Sequence, residues 1–282
     1  MAILRVSFLC LFIVPSYWLA IKLLPLGFRR MVSVWFCWIL LKFLGFYLVT
    51  LEDTSKKFKV PNAPTQAQQP QNGDLILCSH FSWLDFLVLE WQYAPQFCYL
   101  GPNGKVLVIR DVFDGVFNIS CNEARTQREE GLISLADFVD LCRKHRLGPI
   151  VLFPEGGTSN GKAVMPFNLQ LKDIEMTKCF ISTIKYSGNI PPYISGSMKR
   201  NIFEVADNFL SFATLKVFPM ENILSMLEPP VAVGEEQPFH HQQAEVAADL
   251  SPLQSCIAFL GRMKCIRVGI KEKLAFSAFL SK

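Results

Sequence analysis

Charge is scarce in this sequence. Charged residues make up 18% of its 282 positions, where a soluble domain carries roughly 25%. Acidic side chains are absent altogether from Met1 to Leu51, while Arg5, Lys22, Arg29, Arg30 and Lys42 give that stretch +5. The other 231 residues hold 23 basic and 24 acidic side chains and are near neutral. A chain that is 51% hydrophobic is neither disordered nor collagen-like. With its positive charge confined to a greasy N-terminus, its expected partner is a membrane and not nucleic acid. Histidine is also rare, at four residues, and the nine cysteines form no CxxC pair and no Cys/His cluster. That excludes a zinc module. An odd number of cysteines, mostly within apolar runs, argues for small buried hydrophobes in a reducing compartment and not for a disulfide framework. There is no internal repeat.

The N-terminus holds two apolar segments. Val6 to Ile21 is uncharged and 16 residues long, interrupted by Pro15, and Met31 to Leu51 is 21 residues long, interrupted only by Lys42. Lys22, Arg29 and Arg30 lie between them. A secretory signal has one apolar core and then a cleavage site. Here a second segment follows at once, so retention as an anchor is expected. The preferred reading is a two-helix hairpin dipping into the cytosolic leaflet. Flanking basic residues leave the positive-inside rule without a direction, and Lys42 can snorkel to a headgroup layer.

The chain then divides into three parts: membrane-anchoring helices over 1–51, a linker over 52–72, and a domain over 73–282 with a basic C-terminal segment. Pro61 to Asn72 is uncharged and rich in Pro, Gln, Asn and Ala, which suits the linker. Short apolar runs predict strands at Asp74–Cys78, Gln96–Leu100, Val116–Ile119, Pro149–Phe153, Cys179–Ile184 and Phe212–Phe218. Helices are predicted over Leu84–Trp91 and from Leu132 to Cys142, the latter stopping at a basic cluster and Gly148-Pro149. Strands alternating with helices predict an α/β fold, a mixed sheet flanked by helices. Glu228 to Pro252 reads as a surface excursion. Leu253 to Lys282 carries a side-chain charge of +5. It reads either as a closing strand and helix or as a contact for anionic headgroups.

Two constellations carry chemistry. The first is His80-Phe81-Ser82-Trp83-Leu84-Asp85. Residues five apart meet only if His80 sits in the turn leaving a strand and Asp85 sits early in the following helix. The carboxylate then holds one imidazole nitrogen and leaves the other as a base. The competing reading is a capped helix start beside a buried histidine. The second is Phe153-Pro154-Glu155-Gly156-Gly157-Thr158-Ser159-Asn160-Gly161-Lys162. Glycines let backbone N–H groups approach an anion, and the hydroxyls and Lys162 add donors. The Gly-Lys-Ser/Thr order of a Walker loop is absent. A plain glycine-rich connection is the competing reading here.

Together, His-x4-Asp and a Phe-Pro-Glu-Gly block about 70 residues later resemble the glycerolipid acyltransferase superfamily, which includes the lysophosphatidic acid acyltransferases. The resemblance covers about Leu75 to Phe218. It implies that His80 is the general base, that Asp85 orients it, and that Glu155 and Gly156 help bind the acceptor's phosphate and glycerol. Lys105-x2-Val108-x6-Gly115-x12-Arg128 reproduces the spacing of the family's second block, with Val108 for the usual leucine. Ile181 to Tyr186 looks like the fourth block without its proline. Ser79 stands where asparagine is common, and Gly157-Thr158 replaces the frequent Thr-Arg, so one phosphate-binding arginine is missing there. The continuation through Lys162, the apolar N-terminus and the basic tail look most like the fungal lysophosphatidic acid:oleoyl-CoA acyltransferases.

The resemblance implies transfer of an acyl group from acyl-CoA to the sn-2 hydroxyl of lysophosphatidic acid, giving phosphatidic acid. Candidate substrate-binding residues are Glu155, Gly156, Gly157, Thr158, Lys105, Arg128 and Lys162. Acyl-CoA enters as a co-substrate, and no metal or resident cofactor is expected. The expected site of action is the endoplasmic reticulum membrane or a lipid-droplet surface, with the active site facing the cytosol. Two alternatives stay open: a choline, ethanolamine or inositol lysophospholipid as acceptor, and a catalytically lapsed lipid-binding protein of membrane traffic. Cys78, two residues before His80, offers a covalent route in principle, although an inert buried thiol is the plainer reading.

Overall fold

A computed structural model of the chain describes residue 7 and residues 14–52, 68–119, 130–187, 198–208, 210–227 and 251–280. Ten strands are assigned among them: β1 (Phe46–Glu52), β2 (Leu75–Cys78), β3 (Gln96–Leu100), β4 (Lys105–Ile109), β5 (Leu132–Ser134), β6 (Ile150–Phe153), β7 (Ala163–Val164), β8 (Cys179–Ser187), β9 (Ser211–Pro219) and β10 (Lys264–Cys265). The α-helices are α1 (Val14–Leu23), α2 (Leu26–Phe43), α3 (Leu84–Tyr93), α4 (Leu135–His145), α5 (Met198–Asp207), α6 (Met220–Leu227), α7 (Pro252–Gly261) and α8 (Ile270–Leu280).

Eight strands form one sheet in the order β1-β9-β8-β2-β6-β3-β4-β5, and β7 and β10 form a separate parallel pair. The centre, β8-β2-β6-β3, is parallel. Antiparallel pairs extend it on both sides, through β8 with β9 and through β3 with β4 and β5. All residues of β2 and β6 are buried, as expected of parallel strands covered on both faces. Ile76, Phe97, Val151 and Phe180 face a core shared with α2 and α3. Leu75, Cys98, Leu152 and Ile181 face a second core beneath α4, α6 and α7. The predicted α/β class with a mixed, helix-flanked sheet is the architecture observed. Six of the described cysteines are buried and Cys265 is half-buried, all as free thiols.

The N-terminal expectation needs correction. Met31 to Leu51 is not one apolar helix. α2 ends at Phe43, Gly45 turns the chain at φ 94, and Phe46–Glu52 enters the main sheet as β1, parallel to β9. Phe36, Cys37, Leu40, Leu41, Leu44 and Phe46 are buried in the core, so one face of α2 and the start of β1 pack into the sheet domain. Arg30 donates to the Ala94 carbonyl at the end of α3 and ties the two helices together. At 1.5 Å per residue α2 is about 27 Å long, and a bilayer core is about 30 Å thick. Among the described residues no helix is long and apolar enough to cross a membrane. Apolar burial in a core and burial in a lipid layer leave the same mark on a sequence.

Two further elements differ. Val116–Ile119 is not a strand but part of a π-helical turn, Asp114–Ile119. The Asp111 Oδ1 accepts the Asp114 N–H at 2.9 Å and caps it. Leu132–Ser134 is β5, and the helix predicted from Leu132 begins at Leu135. Most of the expected linker and the 228–250 excursion lie outside the described residues. Leu253 to Lys282 supplies most of α7, all of β10 and α8, in keeping with a closing strand and helix.

Candidate active site

β8, β2 and β6 are adjacent and parallel, so the chain leaves all three at the same end of the sheet. In α/β folds that end is where ligands bind. His80 lies two residues beyond β2, Glu155 two residues beyond β6, and Tyr186 near the end of β8. Tertiary structure thus gathers residues that are about 30 to 106 positions apart in the chain.

The turn after β2 folds around one carboxylate. Asp85 occupies the first turn of α3, where a negative charge suits the helix N-terminus. Its Oδ2 accepts the Phe81 N–H at 2.6 Å and the Ser82 N–H at 2.9 Å. The same oxygen lies 2.9 Å from His80 Nδ1. A ring nitrogen at that distance from a carboxylate carries the hydrogen, which leaves Nε2 as the acceptor. Both side chains are 0% exposed. Among the described residues Nε2 has no hydrogen-bond partner. Phe153 lies against the imidazole with centroids 4.4 Å apart, and Phe86 and Tyr99 stand edge-on at 5.3 and 5.6 Å. This aromatic box keeps bulk water from the imidazole and fixes its plane.

The second carboxylate oxygen has its own partner. Tyr186 Oη donates to Asp85 Oδ1 at 2.5 Å. Burial and the neighbouring carboxylate push the Tyr186 phenol well above its ordinary value, so it remains a donor. Trp83, within the same turn, donates from Nε1 to Asn201 Oδ1 on α5 at 2.8 Å. The sequence alone assigns no role to Tyr186 or Asn201. The Ile181–Tyr186 block is the one available signal for the first, and the second carries none.

The Phe-Pro-Glu-Gly block closes over His80. The Ser159 N–H donates to the His80 carbonyl at 2.7 Å and binds the two loops together. Gly156 adopts φ +70, a conformation glycine takes without strain. Glu155 is buried, and its Oε2 accepts the Met165 N–H at 2.8 Å. Burial pushes its carboxyl up to about 8, against the pull of that N–H and of Lys273. Thr158 is buried, and Lys273 on α8 donates from Nζ to its carbonyl at 2.7 Å and its Oγ1 at 3.0 Å. In the sequence Lys273 stands out only as part of a basic tail.

Two clefts adjoin this cluster. One, of about 340 Å³, is lined by Leu100 to Asn103, Pro154 to Gly156, Pro166 to Asn168 and Gly269 to Glu272. The other, of about 280 Å³, is lined by Phe81, Ser82, Asn160 to Lys162, Thr183 to Tyr186 and Gly261. Six expected site residues therefore come together: His80, Asp85, Glu155, Gly156, Gly157 and Thr158. Lys105 does not join them. It is exposed at the start of β4 and lines neither cleft. Lys162 is exposed and lines the second cleft, away from Glu155 and Gly156. Arg128 lies outside the described residues. Gly115, from the same block as Lys105, packs under the Phe86 ring.

Cys78 faces the same core as the His80 turn. Burial, then the Asp85 charge, pushes its thiol well above its ordinary value, which disfavours a thiolate nucleophile.

Residues 58–187 match the family model described as Acyltransferase. That stretch contains His80, Asp85, the Glu155 to Thr158 loop and Tyr186. No curated protein matches the chain. Among solved structures, the 1-acyl-sn-glycerophosphate (LPA) acyltransferase PlsC from Thermotoga maritima aligns over 77% of this chain and 82% of its own, at 14% identity and a TM-score of 0.40.

Proposed function

We propose that this protein is an acyl-CoA-dependent acyltransferase that esterifies the sn-2 hydroxyl of lysophosphatidic acid to give phosphatidic acid. The observation that carries the reading is the buried His80–Asp85 pair, 2.9 Å apart, with the opposite imidazole nitrogen unpartnered among the described residues. The match of residues 58–187 to the Acyltransferase family supports acyl transfer as the reaction class.

The geometry suits a direct transfer. His80 Nε2 takes the proton of the acceptor hydroxyl as its oxygen attacks the thioester carbonyl. Asp85 holds the ring and stabilises the imidazolium, following the Ser-His-Asp logic with the substrate supplying the nucleophile. The tetrahedral intermediate collapses, the C–S bond breaks, and the coenzyme A thiolate recovers the proton from His80. The products are the new ester and free coenzyme A, and His80 is returned unchanged.

Both substrates are amphiphiles, so the reading includes a lipid surface, at the endoplasmic reticulum membrane or a lipid droplet, with the site on the cytosolic side. Trp35, Trp38, Ile39, Met31 and Phe28 on α2 are exposed. Arg29, Arg30 and Lys42 belong to the same helix, and the Lys42 ammonium lies 5.7 Å from the Trp38 ring centroid. Exposed aromatics beside cations suit an interfacial helix.

The test is an acyl-transfer assay on purified protein with a panel of lysophospholipids and acyl-CoAs. Lysophosphatidic acid should be the best acceptor, and His80→Ala should lower kcat by about a thousandfold or more, the scale of lost general-base catalysis together with misplaced substrate. Cys78→Ala should keep activity close to wild type. Near-normal turnover in His80→Ala would overturn the base assignment, and loss of turnover in Cys78→Ala would favour a covalent route.

A further inference from the structure

We infer that the smaller cleft, walled by Lys162 and Lys185, seats the phosphates of coenzyme A. The inference rests on the acyltransferase reading and deepens it. It assigns the donor substrate to one of the two clefts and gives roles to Lys185 and Thr183, which the mechanism above does not use.

Four segments far apart in the chain build this cleft. Phe81 and Ser82 come from the turn after β2, Asn160 to Lys162 from the loop after β6, Thr183 to Tyr186 from β8, and Gly261 from the end of α7. Part of its wall is also the wall of the His80–Asp85 pair. The Phe81 and Ser82 N–H groups donate to Asp85 Oδ2, and Tyr186 Oη donates to Oδ1. A ligand seated here touches the residues that hold the carboxylate.

The cleft is one-sided in charge. Lys162 and Lys185 line it and no carboxylate does. Among the described residues neither lysine forms an ion pair. The larger cleft differs, because Glu155 and Glu272 line it beside Lys271. The positive charge continues past the lining residues. Arg262 follows Gly261 directly, and the Lys264 N–H donates to the Lys162 carbonyl at 3.0 Å, which sets β10 beside the loop. All three cation-bearing segments lie in runs without an acidic residue: Gly156 to Lys172, Cys179 to Phe203 and Leu250 to Lys271. Cations gathered without counter-charges repel one another, and an anion between them removes that repulsion.

The remaining lining suits phosphate oxygens. Thr183 is fully buried, and its hydroxyl has no hydrogen-bond partner among the described residues. Such a group is costly to leave unpaired, and a ligand oxygen supplies the partner. Asn160 Oδ1 accepts the Lys162 N–H at 2.9 Å and shapes the loop that presents the lysine. Coenzyme A carries a diphosphate and a separate 3′-phosphate, while lysophosphatidic acid carries a single phosphomonoester. Two lining lysines with further cations at the rim match the polyanion. A volume of about 280 Å³ falls below the roughly 300–1,000 Å³ of a site that encloses a whole small ligand. The cleft therefore takes the phosphate segment and leaves the adenine at the surface. Its concave shape against the His80 turn does not suit a flat lipid layer.

The experiment compares wild type, Lys185→Gln, Lys185→Arg, Lys162→Gln and the Lys162→Gln/Lys185→Gln double variant. Both lysines are exposed, and thermal unfolding monitors the fold of each protein. Steady-state kinetics give KM for an acyl-CoA and for lysophosphatidic acid, and calorimetry gives the affinity for free coenzyme A without any turnover. The expected result is a rise of about tenfold or more in KM for acyl-CoA in each Gln variant, the scale of a lost charge-assisted bond. The double variant should rise further, KM for lysophosphatidic acid should stay within about twofold, and Lys185→Arg should recover most of the loss. Coenzyme A binding should weaken in parallel. Unchanged coenzyme A affinity in the double variant overturns the inference, and so does a rise confined to KM for lysophosphatidic acid. Sedimentation with anionic phospholipid vesicles is the third arm. Weaker vesicle binding with unchanged coenzyme A affinity reassigns the patch to lipid headgroups and also overturns it. If wild type binds coenzyme A through these lysines yet transfers no acyl group, the cleft assignment stands and the functional reading falls.

Discussion

Tyr186 and Asp85 are separated by 101 residues of chain and joined by a 2.5 Å hydrogen bond from Tyr186 Oη to Asp85 Oδ1. Asp85 Oδ2 already serves His80 and two backbone N–H groups. The tyrosine thus closes the last side of a buried carboxylate and, through it, sets the plane of the imidazole. Tyr186→Phe keeps the ring, which packs edge-on to Phe46, and removes only the donor. A bond to a charged group is worth about 1.5–3 kcal/mol. The expected outcome is a fall in kcat of about tenfold to a hundredfold, with a small change in either KM. Steady-state kinetics on the purified variant decide it, and an unchanged kcat would remove Tyr186 from the site.

Glu155 gives the fold a pH dependence. Its carboxyl is held up to about 8 in the folded protein, first by burial, and in the unfolded chain it returns to an ordinary glutamate value near 4.3. Below that value both states are protonated, and the group contributes nothing to the difference. Between there and about 8, the folded state keeps a proton that the unfolded state has released, so rising pH favours unfolding. Glu90, held up to about 7 mainly by burial, adds a slope of the same sign. Glu155→Gln retains an oxygen to accept the Met165 N–H but cannot ionise. Urea unfolding from pH 5 to pH 8.5 should show wild type losing stability relative to the variant, by on the order of a few kcal/mol at the top of the range. Parallel curves would contradict the buried, protonated carboxyl.

Gly115 is needed for its missing side chain. A Cβ there would lie 2.6 Å from the Phe86 ring, and Phe86 stands edge-on to His80 at 5.3 Å. Gly115→Ala must push the ring or the 114–119 turn aside. Overpacking of this kind costs about 1–3 kcal/mol. The expected outcome is a melting temperature lower by several degrees, together with reduced turnover. A variant as stable and as active as wild type would show that Phe86 has room to yield.

Part of this site is legible in the residues alone. His80 and Asp85 stand at a spacing that works only across a strand-to-helix turn, and that is where they lie. Ile150 to Phe153 reads as a buried strand because every side chain is apolar, and Pro154 with the following glycines marks where it must stop. These signals are local. Lys105 and Lys162 are equally visible, yet a cation's identity says nothing about which way its strand or loop will present it. The N-terminal segment misleads for a related reason. An apolar run reports that a surface leaves water, and Phe36, Cys37 and Leu40 leave it by packing on a sheet.

The composition, the buried strands at Leu75–Cys78 and Ile150–Phe153, and the two motif loops follow from neighbouring residues, because backbone preference and side-chain periodicity act over a few positions. The contacts of Tyr186 with Asp85 and of Lys273 with Thr158 do not. Each depends on which strands become neighbours and where a distant helix comes to rest, and these are set by the packing of the whole core. The histidine and its loop can be read along the chain, while the groups that hold them in place become visible only once the sheet has brought its ends together.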